Sequence, residues 1–212
     1  MLPDRKNILV PGPNYGIITV PQAFPRPFHP TGVLTLTNYE RLSSYNKEDL
    51  LRLIDVYTKN WLAMDGVWFQ SIEQKDGMDA AMYHDVEAWK RYTVIEARRL
   101  KAFLGLEEQP GLEGLAQALG LRFCANINED RYEWKDGALI YTITYCRVQE
   151  TRARKGLPPH PCKAVGLVEY GDFARAIDSR IRCRCLSCYP DITDAGCRCR
   201  WEFTLEEEGS DE

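Results

Sequence analysis

No stretch of the chain approaches the roughly 18 consecutive apolar residues that a membrane-spanning helix needs, so a helical membrane protein is not expected. Positive charge is also in short supply. A net charge of −4 and a pI near 5.5 argue against a nucleic-acid groove, which needs local positive potential against phosphates. There is no Gly-rich phosphate loop, no HExxH helix and no Ser/His/Asp order, which removes the common nucleotide, metalloprotease and serine-hydrolase patterns. Internal repeats are absent, and the N-terminus runs from Met1-Leu2-Pro3-Asp4 through a short Ile8–Val10 patch into prolines, without a secretory apolar core. A cytoplasmic protein is the expectation.

What is present is ordinary in bulk and unusual in one place. With 212 residues, 44% hydrophobic and 27% charged, the chain can bury a core without disulfides or metal. Residues 1–44 hold seven of the twelve prolines, which remove backbone donors and block helices, so they read as an extended arm with one short strand near Gly32–Thr37. From Asn46, Leu50, Ile54, Tyr57, Trp61, Met64, Trp68 and Ile72 recur at three- and four-residue spacing, predicting an amphipathic helix that stops at Lys75-Asp76-Gly77. A second helix is expected over Met78–Leu104 and a third over Leu112–Leu119.

Beyond residue 120 the period changes to that of strands. Leu121–Ala125, Arg131–Trp134 and Ala138–Val148 are expected strands, the last two joined by a Lys135-Asp136-Gly137 turn. Arg152–Gly156 reads as a basic bend, Lys163–Ile177 as a helix, and Arg180–Cys185 and Cys197–Leu205 as a closing pair of strands. An acidic tail, 206–212, follows. The architecture predicted is α+β, with a helical hairpin (45–120) packed on an antiparallel sheet (121–205).

Seven of the eight cysteines lie between Cys146 and Cys199. Cys185 and Cys188 are separated by two residues, so one tight turn can aim both at a tetrahedral metal. Cys162 before a helix and Cys197 on the far side of the hairpin would close the shell. In a reducing compartment such thiols are metal ligands more readily than disulfides. Structural zinc on Cys162, Cys185, Cys188 and Cys197 is therefore expected; an iron–sulfur cluster would use the same ligands, and simple burial of the thiols is the plain alternative. Cys183 and Cys199 stand two residues from proposed ligands, as a neighbouring pair or as small buried side chains. His160, two residues before Cys162, is the substitute ligand, whereas His84 falls off its helix's apolar stripe.

Two groups carry candidate chemistry. Cys146, beside Arg147, Gln149 and Arg152, could be an activated nucleophile, or the arginines could clamp a carboxylate. On a strand, however, Cys146 and Arg147 would face opposite ways. Asp65 sits on the same helical face as Trp61 and Trp68, where a carboxylate must be paired, protonated or functional. Trp68, with Trp61, Phe69 and Trp89, could line its pocket. Arg180, Arg182, Arg184, Arg198 and Arg200 alternate along the closing strands, as an anion-binding face or as solvated side chains.

The order cysteine, helix, strand, Cys-x-x-Cys, loop and Cys-x-Cys-x-Trp-x-Phe over about 120–205 resembles the four-vinyl-reductase domain, which shares its fold with trafficking-complex subunits and phenol sensors. That resemblance places zinc on the same four cysteines. The stretch from Asp49 to Leu205, through Asp65–Phe69, Cys146–Gln149, Cys162-Lys163, Cys185–Asp191 and Cys197–Phe203, also resembles bacterial cytosolic proteins related to L-2-amino-thiazoline-4-carboxylic acid hydrolase-like proteins. It implies a dimer with a ligand cavity between helices and sheet. The function expected is zinc-stabilised binding of a small, carboxylate-bearing molecule. The alternatives are hydrolysis of a cyclic or amide C–N bond by Cys146 or Asp65, with substrate on Arg147, Gln149, Arg152 and Trp68, or an iron–sulfur role.

Overall fold

Gly77 alone separates the two longest helices. Its φ of +88° is a backbone conformation that L side chains rarely adopt, so one residue reverses the chain between α2 (Lys47–Asp76) and α3 (Met78–Leu104). The computed structural model describes residues 38–206. It divides into a unit of residues 1–46, where α1 covers Asn38–Leu42, and a unit of residues 47–212 that holds everything below. The expected strand at Gly32–Thr37, most of the proline-rich arm and the tail beyond Glu206 lie outside the described residues.

After α3 come α4 (Gly111–Leu119), a 3-10 turn (Phe123–Asn126), β1 (Glu129–Lys135), β2 (Ala138–Tyr145), α5 (Arg147–Arg154), α6 (Lys163–Ile177), β3 (Ile181–Cys188) and β4 (Cys199–Leu205). The sheet order is β1-β2-β4-β3, antiparallel at every pairing. The fold is thus α+β with a four-stranded antiparallel sheet. Asp136 and Gly137, both at positive φ, make the tight turn that suits the twist of β1 and β2.

Three expectations change. Leu121–Ala125 is not a strand: Arg122 is drawn into the core as an ion-pair partner, and the backbone there forms the 3-10 turn. The strand beginning at Ala138 stops at Tyr145, and the polar run Arg147–Arg154 is a helix instead of a bend. The apolar stripe of α2 is mostly not core, because only Thr58 and Phe69 of this 30-residue helix are buried. Trp61 meets Trp89, Tyr92 and Phe123, yet Ile54, Tyr57, Met64 and Trp68 remain exposed.

The core lies between the sheet and α3, α4 and α6. Leu115, Leu119, Leu139, Ile143, Phe173, Ile177, Trp201 and Phe203 are fully covered. Leu167, on the other side of α6, faces out. Gly166 sets how close α6 comes to the sheet, since a Cβ there would stand 2.5 Å from the Trp201 ring. That close approach brings the first turn of α6, and Cys162 before it, down to the ends of β3 and β4.

Asp178 ties the far end of α6 to its neighbours. Its carboxylate accepts from Gly111 N at 3.0 Å, at the start of α4, and from Arg180 Nη2 at 2.8 Å, and it is almost fully covered. The Arg180 guanidinium holds the carboxyl down at about 2, helped by the Arg180 and Gly111 amides against the effect of burial. Because the folded value is below the unfolded one near 3.8, this contribution is complete above pH ~4 and disappears as pH falls toward 2. Asp178→Ala should cost about 2–4 kcal/mol at pH 7 and much less at pH 2.5, measured by urea denaturation at both.

Candidate functional site

A cavity of about 370 Å³ opens between the helical hairpin, α5, the first half of α6 and the sheet. Each wall follows from an element already placed. Leu62, Gly66 and Phe69 come from the inward edge of α2, Trp89 from α3, Val165 and Tyr170 from α6, and Ile143 and Trp201 from the sheet. Into these apolar walls project Asp65, Asp85, Gln149, His160 and Cys162.

The polar groups form a connected set. His160 Nε2 lies 3.3 Å from Asp85 Oδ2, and the ring packs on Phe69 with centroids 4.7 Å apart. Gln149 is buried and spans the segment that follows α5, accepting from His160 N at 3.0 Å and donating to His160 O at 2.8 Å. The same amide reaches Cys162 Sγ at 3.5 Å, and Cys188 Sγ stands 3.5 Å from Cys162 on the other side. Gln149, expected to touch substrate, thus shapes the loop that carries His160. His160 Nδ1 is buried without a hydrogen-bond partner.

Electrostatics separate the thiols. Cys188 donates to Cys162, which with His160 and Gln149 holds the Cys162 thiol well below the usual range in spite of burial. Cys188 is correspondingly held protonated. Burial works to lower the His160 imidazole, but Asp85 and Cys162 outweigh it and push it up to about 9. Asp65 rises to about 6 through burial first and Asp85 second, with His160 opposing. Cys146 lines the same cavity, and burial pushes its thiol up to about 12, which favours the protonated form at neutral pH.

The arginines also divide. Arg152 is buried and engaged: Nη1 and Nη2 bond both oxygens of Glu73 at 2.8 and 2.7 Å, and Nε bonds Pro158 O at 2.6 Å. It pins α5 to α2 at the cavity wall. Arg147, half-buried on the cavity wall, uses its backbone N–H on Asn128 Oδ1 at 2.9 Å, and its guanidinium has no carboxylate partner among the described residues. Trp68 points away from the cavity and is exposed; Phe69 and Trp89 are the aromatic residues of that group that reach it. All five strand arginines are in ion pairs, Arg180 with Asp178, Arg182 with Glu206, Arg184 with Glu202, Arg198 with Glu150 and Arg200 with Glu133 and Asp194, so among the described residues no open cationic face forms.

Of the four cysteines expected to hold zinc or an iron–sulfur cluster, Cys162 and Cys188 stand side by side, with their sulfurs 3.5 Å apart. Cys162 and Cys188 are at a separation close to the roughly 3.7 Å edge of a tetrahedral zinc thiolate with bonds of about 2.3 Å. The register shift between Cys185 and Ser187, however, pairs Cys188 with Cys199. Cys197 precedes β4 and turns its thiol to Asp194 O at 3.6 Å. Among the described residues no group of three or more His, Cys, Asp or Glu side chains is arranged to hold a metal ion. The arrangement fits two thiol ligands of the expected four.

Beneath the cavity lies a group that composition does not reveal. Arg122, fully buried, has Nε 2.9 Å from Glu96 Oε2 and Nη1 2.8 Å from Glu169 Oε1. Its guanidinium is enclosed by Trp89, Tyr170 and Phe173. Glu169 lines the cavity, and burial pushes its carboxyl up to about 7 although Arg122 pulls it down. A glutamate inside each of α3 and α6, among apolar neighbours, was the available signal for this pair.

Residues 43–205 match a family model described as a family of unknown function, DUF6125. No curated protein and no solved structure matches the chain. No helix among the described residues is long and apolar enough to cross a membrane.

Proposed function

The chain belongs to the DUF6125 family of unknown function, and we propose from its site that it binds a small molecule joining an apolar body to a carboxylate. The observation that carries this is the cavity itself, with apolar walls and an arginine, Arg147, that has no carboxylate partner among the described residues. Its volume is in the range of small-molecule sites, and a few convergent polar groups in an apolar pocket are what orient a ligand. Arg147 would take the carboxylate through parallel hydrogen bonds. The test uses 1-naphthoate and its neutral counterpart 1-naphthamide in titration calorimetry. Naphthoate should bind about tenfold more tightly, and Arg147→Ala should erase that preference. Gly66→Phe fills the cavity from α2, where a new Cβ meets only Gln70 at 3.8 Å, and should abolish both. Unchanged binding in Gly66→Phe would remove this reading.

A second reading, hydrolysis of an amide or cyclic C–N bond, is favoured by one arrangement: thiol, imidazole and carboxylate in the order Cys162, His160, Asp85. Cys162 also precedes the 15-residue helix α6, whose N-terminal dipole favours a thiolate. In this scheme the Cys162 sulfur attacks the substrate carbon. The C–N bond breaks as the His160 imidazolium gives its proton to the departing nitrogen. Water then attacks the thioester, returning a proton to His160 and releasing Cys162 as thiolate. The resemblance to thiazoline-carboxylate hydrolase-like proteins supports the same chemistry, at Cys162 instead of Cys146. A metal bound by Cys162 and Cys188 would occupy the nucleophile, so elemental analysis separates this scheme from the expected zinc role.

A further inference from the structure

The cavity uses one edge of α2 and leaves the rest of that helix unexplained. Between Leu50 and Ile72 the charged residues Arg52, Asp55 and Lys59 lie on one flank, where Lys59 pairs with Asp55 at 2.6 Å and Arg52 with Glu48 at 2.6 Å, and Asp65 turns into the cavity. The opposite flank carries Leu50, Leu53, Tyr57, Met64 and Trp68, with Asn60 and Ser71 as its polar members and no charge. A helix lying on a protein surface ordinarily places charges on both sides of its buried stripe. Here one side carries no charge, and among the described residues nothing covers its Tyr57, Met64 and Trp68.

We propose that a second copy of this chain covers this flank, with the two α2 helices packed antiparallel about a two-fold axis near Trp61 and Met64. Ile54 is 50% exposed, Tyr57 58%, Trp61 36%, Met64 62% and Trp68 63%. Together these leave about 600 Å² per copy, given roughly 150–250 Å² for each large side chain. Two copies would then bury about 1,200 Å², the lower edge of a specific interface. The flank is uncharged, so it does not call for a basic or acidic partner, while an apolar surface is complementary to itself across a two-fold axis. Aromatic residues and methionine are the types enriched at the centres of such interfaces. Each chain offers a long helical hairpin, so the paired hairpins form a four-helix bundle.

Sedimentation velocity on the full chain from 1 to 100 μM decides this. The expected result is a species of twice the 24.4 kDa chain mass. Met64→Glu and Trp68→Glu should each weaken association by about 100-fold or more, because each places a charge at the centre of an apolar contact. Both residues are exposed in the single chain and neither lines the cavity, so helical circular dichroism and naphthoate affinity should be unchanged. Lys59→Glu, on the charged flank, should leave association within about threefold, a surface-charge effect. A wild-type chain that is monomeric at 100 μM, or a dimer that survives both apolar-flank variants, overturns the proposal.

Discussion

Arg122→Met is expected to destabilise the protein by about 3–5 kcal/mol, the cost of removing one partner from a buried ion pair. The residue stands between Glu96 and Glu169 and beneath three aromatic rings, where water cannot replace it. Methionine fills much of the volume but leaves two carboxylates without a counter-charge. Thermal denaturation should show a midpoint lower by about 10 °C, at the ~2–4 °C per kcal/mol of a domain of this size. The loss should ease on acidification. Glu169 already has a folded value near 7, above its unfolded 4.5, so its charged form opposes folding as pH rises through that interval. Without Arg122 the opposition grows, and the variant should recover stability as pH is lowered toward 5. Adding Glu96→Gln and Glu169→Gln should restore at least half of the loss at pH 7. A midpoint within 2 °C of wild type for Arg122→Met would show that the pair carries no net weight.

At pH 7 iodoacetamide should label Cys162 at least about 100-fold faster than Cys146, although both line one cavity. The physical difference is who holds the proton. Cys188 donates to the Cys162 sulfur at 3.5 Å, and His160 and Gln149 add positive potential, so the thiolate persists. At Cys146 the Gln149 and Val148 amides do not outweigh burial, and the thiol stays protonated. Thiolate is the reacting species, so reactivity follows these shifts. Peptide mapping over a time course should find one fast site, removed by Cys162→Ser and retained in Cys146→Ser. Gly66→Phe should slow that site by narrowing the way in. Fast labelling of Cys146, with Cys162 silent, would return the nucleophile to the place where sequence neighbours alone put it.

That contrast marks where sequence reading stops. Arg147 and Arg152 follow Cys146 closely and suggest activation, yet α5 turns Arg152 onto Glu73, 79 residues away, and leaves Cys146 half-buried with its thiol held protonated. The groups that do act on a cysteine are Cys188, Gln149 and His160, and His160 is set by Asp85, 75 residues earlier in the chain. No local pattern joins them. The cysteine spacing grouped Cys162 with Cys188, and the strand irregularity after Cys185 sets Cys199 opposite Cys188 where an unbroken register would have set Arg198.

The chain by itself determined its elements wherever period and stop signals agreed. The expected bounds of α3 and α6 coincide with those observed, because an apolar stripe and Gly105 mark the first, and an apolar run between Cys162 and Asp178 marks the second. The Asp136-Gly137 turn was equally legible, since few residues accept positive φ. Tertiary structure alone decided which apolar face was buried. The α2 stripe satisfies every rule of helical periodicity, yet it meets α3 along one edge and faces outward along the other. Periodicity reports which residues share a side of a helix. Only the packing of α6, held close to the sheet by Gly166 against Trp201, placed Cys162 beside Cys188 and opened the cavity that the first edge of α2 completes.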